Sequence, residues 1–142
     1  MSIGAGRYLI DTSAWARMRA PTVEKRLLAI LQAAAAATCL PLDLEDGSSA
    51  RNFRDAMTIR ARRAEVMTDL PITAAVATRA RDIQLALTQR GHHRAASPTD
   101  LIAAAAAAEY GAIVLHYDRD FDLIADAGGP RSEWVAPPGT LS

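Results

Sequence analysis

Short apolar runs that alternate with helical stretches constrain the fold of this chain more than any other feature of its sequence. Carboxylates follow these runs at four places, namely Asp11, Asp43 with Glu45, Asp100, and Asp118 with Asp120. In a parallel α/β sheet, the carboxyl ends of neighbouring strands meet at one crevice, where ligands usually bind. Carboxylates gathered there repel one another unless a hard cation such as Mg²⁺, which prefers oxygen ligands, lies between them. The pattern therefore predicts an acidic metal site, and a metal-dependent hydrolase of phosphodiesters is the leading interpretation.

The hydrophobic periodicity predicts an α/β fold with a mostly parallel central sheet and helices on both of its faces. Strands are predicted over residues 7–11, 38–40, 112–116 and 133–136. Helices are predicted from about residue 12 and over residues 21–31, 41–67, 73–90, 98–110 and 120–127. The stretch Gly47-Ser-Ser49 weakens the third of these helices locally, since glycine costs about 1 kcal/mol against alanine. Residues 1–142 are expected to form a single domain.

Composition excludes several classes of protein. No apolar run reaches the roughly 18–20 residues that span a bilayer, and the N-terminus lacks the pattern of a secretion signal. Cys39 is the only cysteine, so neither an intrachain disulfide nor a zinc site built on cysteines is predicted. A cytoplasmic protein without membrane contact is the simplest expectation.

The charge distribution leaves a nucleic-acid partner open. The formal net charge is zero, but Lys25 is the only lysine, and every other basic residue is arginine. Arginine pairs with phosphate through a planar fork and so suits RNA contact. Codon bias is the favoured explanation of the arginine excess as a whole, since alanine is also abundant. A helical group of arginines is a candidate surface for an RNA backbone: Arg51, Arg54, Arg60, Arg62 and Arg63.

Each candidate acid also has a purely structural interpretation. Asp11 ends a strand and faces the crevice in one interpretation, or caps the following helix in the other. Ser13 either hydrogen-bonds that carboxylate or acts as the cap. Glu45, with Asp43 and Asp46, lies where the helix dipole favours acids. Asp100 occupies the capping-box position after Ser97 and Pro98, and the alanines that follow would let its helix approach the sheet closely.

The remaining candidates lie near the last long strand and in one loop. Asp118 and Asp120 follow that strand and point the same way if the chain is still extended there. His92 and His93 form a loop pair that either binds a metal or is simply exposed. His116 is expected to be a hydrogen-bonded core or rim residue, and Trp15 and Trp134 are expected to belong to the core.

Several motifs together resemble the PIN-domain ribonucleases of the VapC toxin family. The matching stretches are Tyr8-Leu-Ile-Asp-Thr-Ser-Ala-Trp15, Leu42-Asp-Leu-Glu45, Ser49-Ala-Arg51, Gly91-His-His-Arg94, Thr99-Asp-Leu-Ile-Ala-Ala-Ala105, Val114-Leu-His-Tyr-Asp-Arg-Asp-Phe121 and Glu133-Trp-Val135. Their order and spacing cover nearly the full length. The chain departs from the family at Asp46-Gly47-Ser48, where apolar or aromatic residues are usual, which puts in doubt the helix that carries Glu45 or a partner surface.

The resemblance implies a PIN-like α/β fold and a toxin that cleaves structured RNA, either tRNA or ribosomal RNA, with Mg²⁺ or Mn²⁺. Asp11, Glu45, Asp100 and Asp118 match the acidic quartet of the family and are the implied catalytic residues. Asp11, Asp100, Asp118 and the accessory acid Asp120 are the implied metal ligands. The implied partners are a small VapB-type antitoxin and a second copy of the chain, in a homodimer that assembles further with the antitoxin.

Two other functions remain as alternatives. A PIN fold without catalytic activity would act through RNA or protein contacts, although such a protein would have no reason to retain a costly cluster of like charges. A phosphatase with Asp11 as the nucleophile would need a second nearby aspartate and a well-placed lysine, and Lys25 is poorly suited to that role.

Overall fold

A computed structural model describes residues 7–142. The first six residues, for which the sequence predicts no secretion signal, lie outside the described residues. The described strands are β1 (Tyr8–Ile10), β2 (Ala36–Thr38), β3 (Thr68–Asp69), β4 (Ile113–His116) and β5 (Ser132–Trp134). They form one sheet in the order β3-β2-β1-β4-β5, and each neighbouring pair is parallel. The predicted α/β fold is therefore confirmed.

Helices cover the two faces of this sheet. They are α1 (Thr12–Trp15), α2 (Pro21–Gln32), α3 (Leu40–Gly47), α4 (Phe53–Val66), α5 (Ala74–Gln89), α6 (Pro98–Tyr110) and α7 (Asp120–Asp126). Leu9 packs with residues of α5, α6 and α7, whereas its neighbour Ile10 packs with residues of α2 on the opposite face. Successive side chains of a strand point to opposite faces, so each central strand contributes to both cores. No helix among residues 7–142 is both long and apolar enough to cross a membrane.

The region between β2 and β3 differs from the predicted single helix over residues 41–67. The second strand ends at Thr38, Cys39 is extended, and α3 begins at Leu40 with Pro41 in its first turn. The helix stops at Gly47, and a new helix starts after Asn52, whose side chain accepts a hydrogen bond from the Asp55 backbone N–H. The single predicted helix is therefore wrong: the chain forms two helices, which separate at the Gly47-Ser-Ser49 stretch, where helix propensity is weak.

The helix α6 follows its sequence signals closely. Ser97 and Asp100 form a capping box, and the helix ends at Gly111, whose φ of 71° lies in the left-handed region. Residues Ala103–Ala107 are fully buried in the core that α6 shares with α5. Because alanine side chains are small, this helix lies close to the sheet and brings its N-terminus to the ends of β1 and β4.

Candidate metal centre

An open cavity of about 470 Å³ lies at the carboxyl edge of the sheet. It collects all five acids that the resemblance implicates: Asp11, Glu45, Asp100, Asp118 and Asp120. They reach it from four separate places in the chain, namely the end of β1, helix α3, the first turn of α6 and the segment after β4. The structure thus brings together residues that are more than a hundred positions apart in the sequence.

Asp11 forms the buried wall of the cavity and is only 5% exposed. Its Oδ2 accepts hydrogen bonds from the backbone N–H of Ser13, at 3.0 Å, and from the Ser13 hydroxyl. The same hydroxyl oxygen accepts the backbone N–H of Tyr117 at 2.9 Å. Ser13 therefore joins the ends of β1 and β4, and Asp11 caps α1 while it faces the cavity. Burial raises the pKa of Asp11, although the Ser13 hydrogen bonds oppose this shift.

Asp100 likewise fulfils both interpretations of its position. Its backbone N–H donates to the Ser97 hydroxyl at 3.1 Å, and its Oδ2 accepts the Ser97 backbone N–H at 3.3 Å. Burial, followed by the negative charge of Asp11, raises the pKa of Asp100 to about 6. The capping box thus holds a carboxyl group in a place where its charge is disfavoured unless a cation is near.

The segment after β4 brings Asp118 and Asp120 against Asp100. One carboxylate oxygen from each of these three residues lies within 4.8 Å of the others. The two acids point the same way, but the chain is not extended between them, because Arg119 has helical backbone angles and α7 begins at Asp120. A backbone hydrogen bond from Asp120 to Asp118 Oδ1, 2.9 Å long, fixes this turn. Burial and the charge of Asp118 raise the pKa of Asp120.

Glu45 lies at the exposed rim of the cavity, where its charge helps to raise the pKa of Asp11. Its Oε1 accepts a 2.7 Å hydrogen bond from the hydroxyl of Thr12, a contact that the sequence did not suggest. Its neighbours do not join it. Asp43 and Asp46 instead pair with Arg63, at 2.8 and 3.0 Å. The acidic cluster of α3 is therefore divided between the cavity and a structural ion pair.

The positions of several basic residues bear on other predictions made from the sequence. Arg63 is 4% exposed, so its predicted place on an RNA-binding surface is wrong. His92 and His93 are exposed in their loop, and neither lines the cavity, whereas Arg94 of the same loop does. The predictive signal for Arg94 lay only in its place within the Gly91-His-His-Arg94 motif. Lys25 is exposed on α2 and does not line the cavity, which leaves the phosphatase interpretation without its lysine.

The donor set fits a hard divalent cation. Apart from Arg94 and Ala95, the cavity is lined by carboxylates and hydroxyls, and no histidine or cysteine of the described chain contributes to its lining. Oxygen-only donors favour Mg²⁺ or Mn²⁺ over Zn²⁺, for which nitrogen and sulfur ligands are typical. The pKa values of Asp11, Asp100 and Asp120 are all raised, so a cation bound among these carboxylates would favour their ionised forms.

A comparison with protein families decides the classification. The PIN domain family matches residues 8–127 of this chain. The chain belongs to the PIN domain family.

Curated relatives place this PIN domain in the VapC group. Ribonuclease VapC21 of Mycobacterium tuberculosis is 41% identical over 134 residues, which cover 94% of this chain and 97% of that protein. Ribonuclease VapC51 of the same organism is 38% identical over 95% of this chain and 97% of its own length.

Solved structures confirm the PIN fold. DNA-bound VapBC from Salmonella typhimurium superimposes with a TM-score of 0.73 at 17% identity, over 92% of this PIN domain and 98% of that chain. VapBC2 from Rickettsia felis, bound to a fragment of its promoter, gives a TM-score of 0.73 at 13% identity, over 89% and 97% of the two chains. At such low identity the likeness concerns the fold alone.

Proposed function

We propose that this PIN domain is the toxin of a type II toxin–antitoxin module and a metal-dependent endoribonuclease that cleaves structured RNA, either tRNA or ribosomal RNA, in the cytoplasm. The observation that carries the proposal is the convergence of five carboxylates on one open cavity. The similarity to proteins named Ribonuclease VapC supports the reaction and its RNA substrate.

The roles of the acids are assigned from the close spacing of Asp100, Asp118 and Asp120, from the place of Asp11 in the same cavity, and from the family resemblance. Asp11, Asp100, Asp118 and Asp120 would hold Mg²⁺ or Mn²⁺, which when bound activates water and offsets the charge that builds up on the phosphate. Ser13 keeps the carboxylate of Asp11 oriented through its hydrogen bonds. Asp118 or Glu45 orients the attacking water, and Glu45 can receive its proton because it is exposed and held only by Thr12.

Exposed arginines, one of them in this cavity, support an RNA substrate. Arg94 is exposed and lines the cavity beside the acids, where it can contact a phosphate next to the scissile bond. Arg54, Arg60 and Arg62 are exposed along α4. Arginine binds phosphate through its planar fork, largely independently of sequence.

An apolar surface supports the proposed protein partners, which are a VapB-type antitoxin and a second copy of the chain. Four large side chains on α3 and α4 are more than half exposed: Leu40, Leu44, Phe53 and Met57. Leu40 and Leu44 also line a groove of about 680 Å³ between these helices. Large exposed apolar side chains beside a groove are typical of protein interfaces.

The test is cleavage of total tRNA and ribosomal RNA by purified protein with Mg²⁺, Mn²⁺ or EDTA. Asp11→Asn keeps the size of the side chain and removes its charge, so we expect cleavage to fall more than about 100-fold while the fold persists. Asp126→Asn is the matched control, because Asp126 is an exposed acid at the end of α7 that does not line the cavity.

Discrete metal-dependent cuts that disappear only in Asp11→Asn would establish the nuclease and identify its target RNA. Normal activity of Asp11→Asn would refute the assignment of the site. If folded protein free of antitoxin cuts no RNA with any metal, the alternative function applies, a PIN fold that binds RNA or a partner without catalysis. Calorimetry with Mn²⁺ would then report whether the acids still hold a cation.

A further inference from the structure

The side chain of His116 is completely buried at the end of β4, directly behind the acids of the cavity. Its ring lies between those of Phe121 and Trp134, with a centroid separation of 5.1 Å to each. Its Nε2 atom has no hydrogen-bond partner among residues 7–142. A buried polar atom without a partner is unfavourable, so a phenylalanine here would be expected on packing grounds alone. The hydrogen bond that the imidazole makes therefore involves its other nitrogen.

That other nitrogen, Nδ1, accepts a 3.1 Å hydrogen bond from the backbone N–H of Asp118. An acceptor at Nδ1 carries a lone pair, which places the single ring proton of the neutral imidazole on Nε2. Asp118 in turn accepts the backbone N–H of Asp120 through Oδ1, at 2.9 Å. Two consecutive hydrogen bonds thus run from His116 through Asp118 to Asp120.

We propose that His116 is a positioning residue of the acidic site, whose Nδ1 holds the Asp118 backbone and thereby aligns the carboxylates of Asp118 and Asp120 with that of Asp100. The proposal deepens the proposed function and rests on it for its consequence in metal binding. The aromatic rings of Phe121 and Trp134 fix the plane of the imidazole, and the tight packing leaves the ring no room to turn. His116 itself does not line the cavity, so it acts only through the residues that it holds.

Three variants separate the acceptor from the bulk of the ring. His116→Asn places an amide oxygen at the position of Nδ1 and keeps the acceptor. His116→Gln places its amide at the position of Nε2 and loses the acceptor at Nδ1. His116→Phe keeps the ring and removes both nitrogens. Each variant is measured in three ways: its melting temperature, the hydrogen exchange of the Asp118 amide in metal-free protein, and its affinity for Mn²⁺ by calorimetry.

We expect His116→Asn to retain a protected Asp118 amide and an Mn²⁺ affinity close to that of the unchanged protein. His116→Phe and His116→Gln should exchange this amide faster and bind Mn²⁺ about 10–100-fold more weakly, the usual effect of losing a residue that orients a ligand. The Phe variant should nevertheless melt no earlier than the Asn variant, because its ring fills the buried space between Phe121 and Trp134 that the smaller asparagine leaves partly empty. A purely structural histidine would instead lower melting temperature and metal affinity together.

Unchanged amide exchange and Mn²⁺ affinity in His116→Phe would overturn the proposal, as would an Asn variant as weak as the Phe variant. Failure of the proposed function has a different signature, since the unchanged protein would then bind no Mn²⁺. In that case the exchange of the Asp118 amide in metal-free protein still decides whether His116 positions the segment.

Discussion

At the scale of single residues, capping and acidic-site geometry are achieved by the same atoms. Asp11 accepts the Ser13 N–H as the N-cap of α1, and Asp100 completes the capping box of α6 with Ser97, yet both carboxylates line the cavity. A cap uses one oxygen of a carboxylate and fixes the side chain with few rotamers to spare. The remaining oxygen is then held toward the cavity without further contacts. The caps therefore orient both carboxylates before a cation binds.

The raised pKa of Asp100 predicts how the stability of the metal-free protein depends on pH. Burial, with the charges of Asp11 and Asp118, raises this pKa from its ordinary value of 3.8 to about 6. Between these two values the folded chain retains a proton that the unfolded chain has released. The stability contributed by this group is therefore complete below pH 3.8 and is lost as the pH rises through 6.

Urea denaturation of metal-free protein across this pH range checks the prediction against Asp100→Asn, which cannot ionise. We expect the unchanged protein to lose more stability than the variant as the pH rises. At a pH above 7, millimolar Mg²⁺ should restore the loss in the unchanged protein, because an ionised carboxylate binds the cation. Parallel pH profiles for the two proteins would contradict the assignment of the shift to Asp100.

At the scale of elements, α3 and α4 are connected by an ion network that local sequence does not reveal. Arg63 of α4 pairs with Asp43 and Asp46 of α3 and donates to the hydroxyl of Thr38 at the end of β2, at 2.8 Å. The arginine side chain is nearly inaccessible, whereas the two aspartates are partly exposed. The network anchors both helices to the edge of the sheet and, through α3, places Glu45 at the rim of the cavity.

Replacing Arg63 by methionine should destabilise the fold. It leaves Asp43 and Asp46 without their partner, and breaking a buried pair of this kind costs about 2–4 kcal/mol after allowance for the exposure of the aspartates. Arg62→Met is the matched control, because Arg62 is the exposed neighbour on the same helix, and its replacement should change the stability by less than about 0.5 kcal/mol. Equal effects of the two substitutions in urea denaturation would show that the network contributes nothing.

The elements also show what could be predicted from sequence. The strands Tyr8–Ile10 and Ile113–His116 and the helix Pro98–Tyr110 were predictable because apolar runs, a capping box and a terminal glycine are local signals. The strand Thr68–Asp69 was missed, since a two-residue strand exists only through its pairing with β2. Likewise, the separation of Asp43 from Glu45 depends on Arg63, twenty residues away from Asp43 along the chain. Such long-range pairings carry no periodic signature.

At the scale of the whole molecule, a net charge of zero conceals separated regions of opposite sign. Five acids line the cavity at the carboxyl edge of the sheet. Exposed arginines lie on α4, which packs against α3, the helix that carries Glu45. Both groups would contact an RNA backbone: a cation bound by the acids would contact one phosphate, and the arginines would bind neighbouring phosphates. Of the predicted arginine group, Arg54, Arg60 and Arg62 are exposed along α4. Arg63 is buried, and Arg51 pairs with Asp55.

These exposed arginines predict a specific salt dependence of RNA binding. Binding is measured in the Asp11→Asn background, which prevents cleavage, over a range of salt concentrations. Each arginine that neutralises a phosphate adds about 0.7 to 0.9 to the slope of log affinity against log salt. Replacing Arg54, Arg60 and Arg62 together by glutamine should therefore reduce this slope by about 2 to 3. The control replaces Arg81, Arg90 and Arg131, which are exposed elsewhere, and it changes the net charge by the same amount. If both triple variants lower the slope equally, binding follows total charge, and α4 has no special place in RNA recognition.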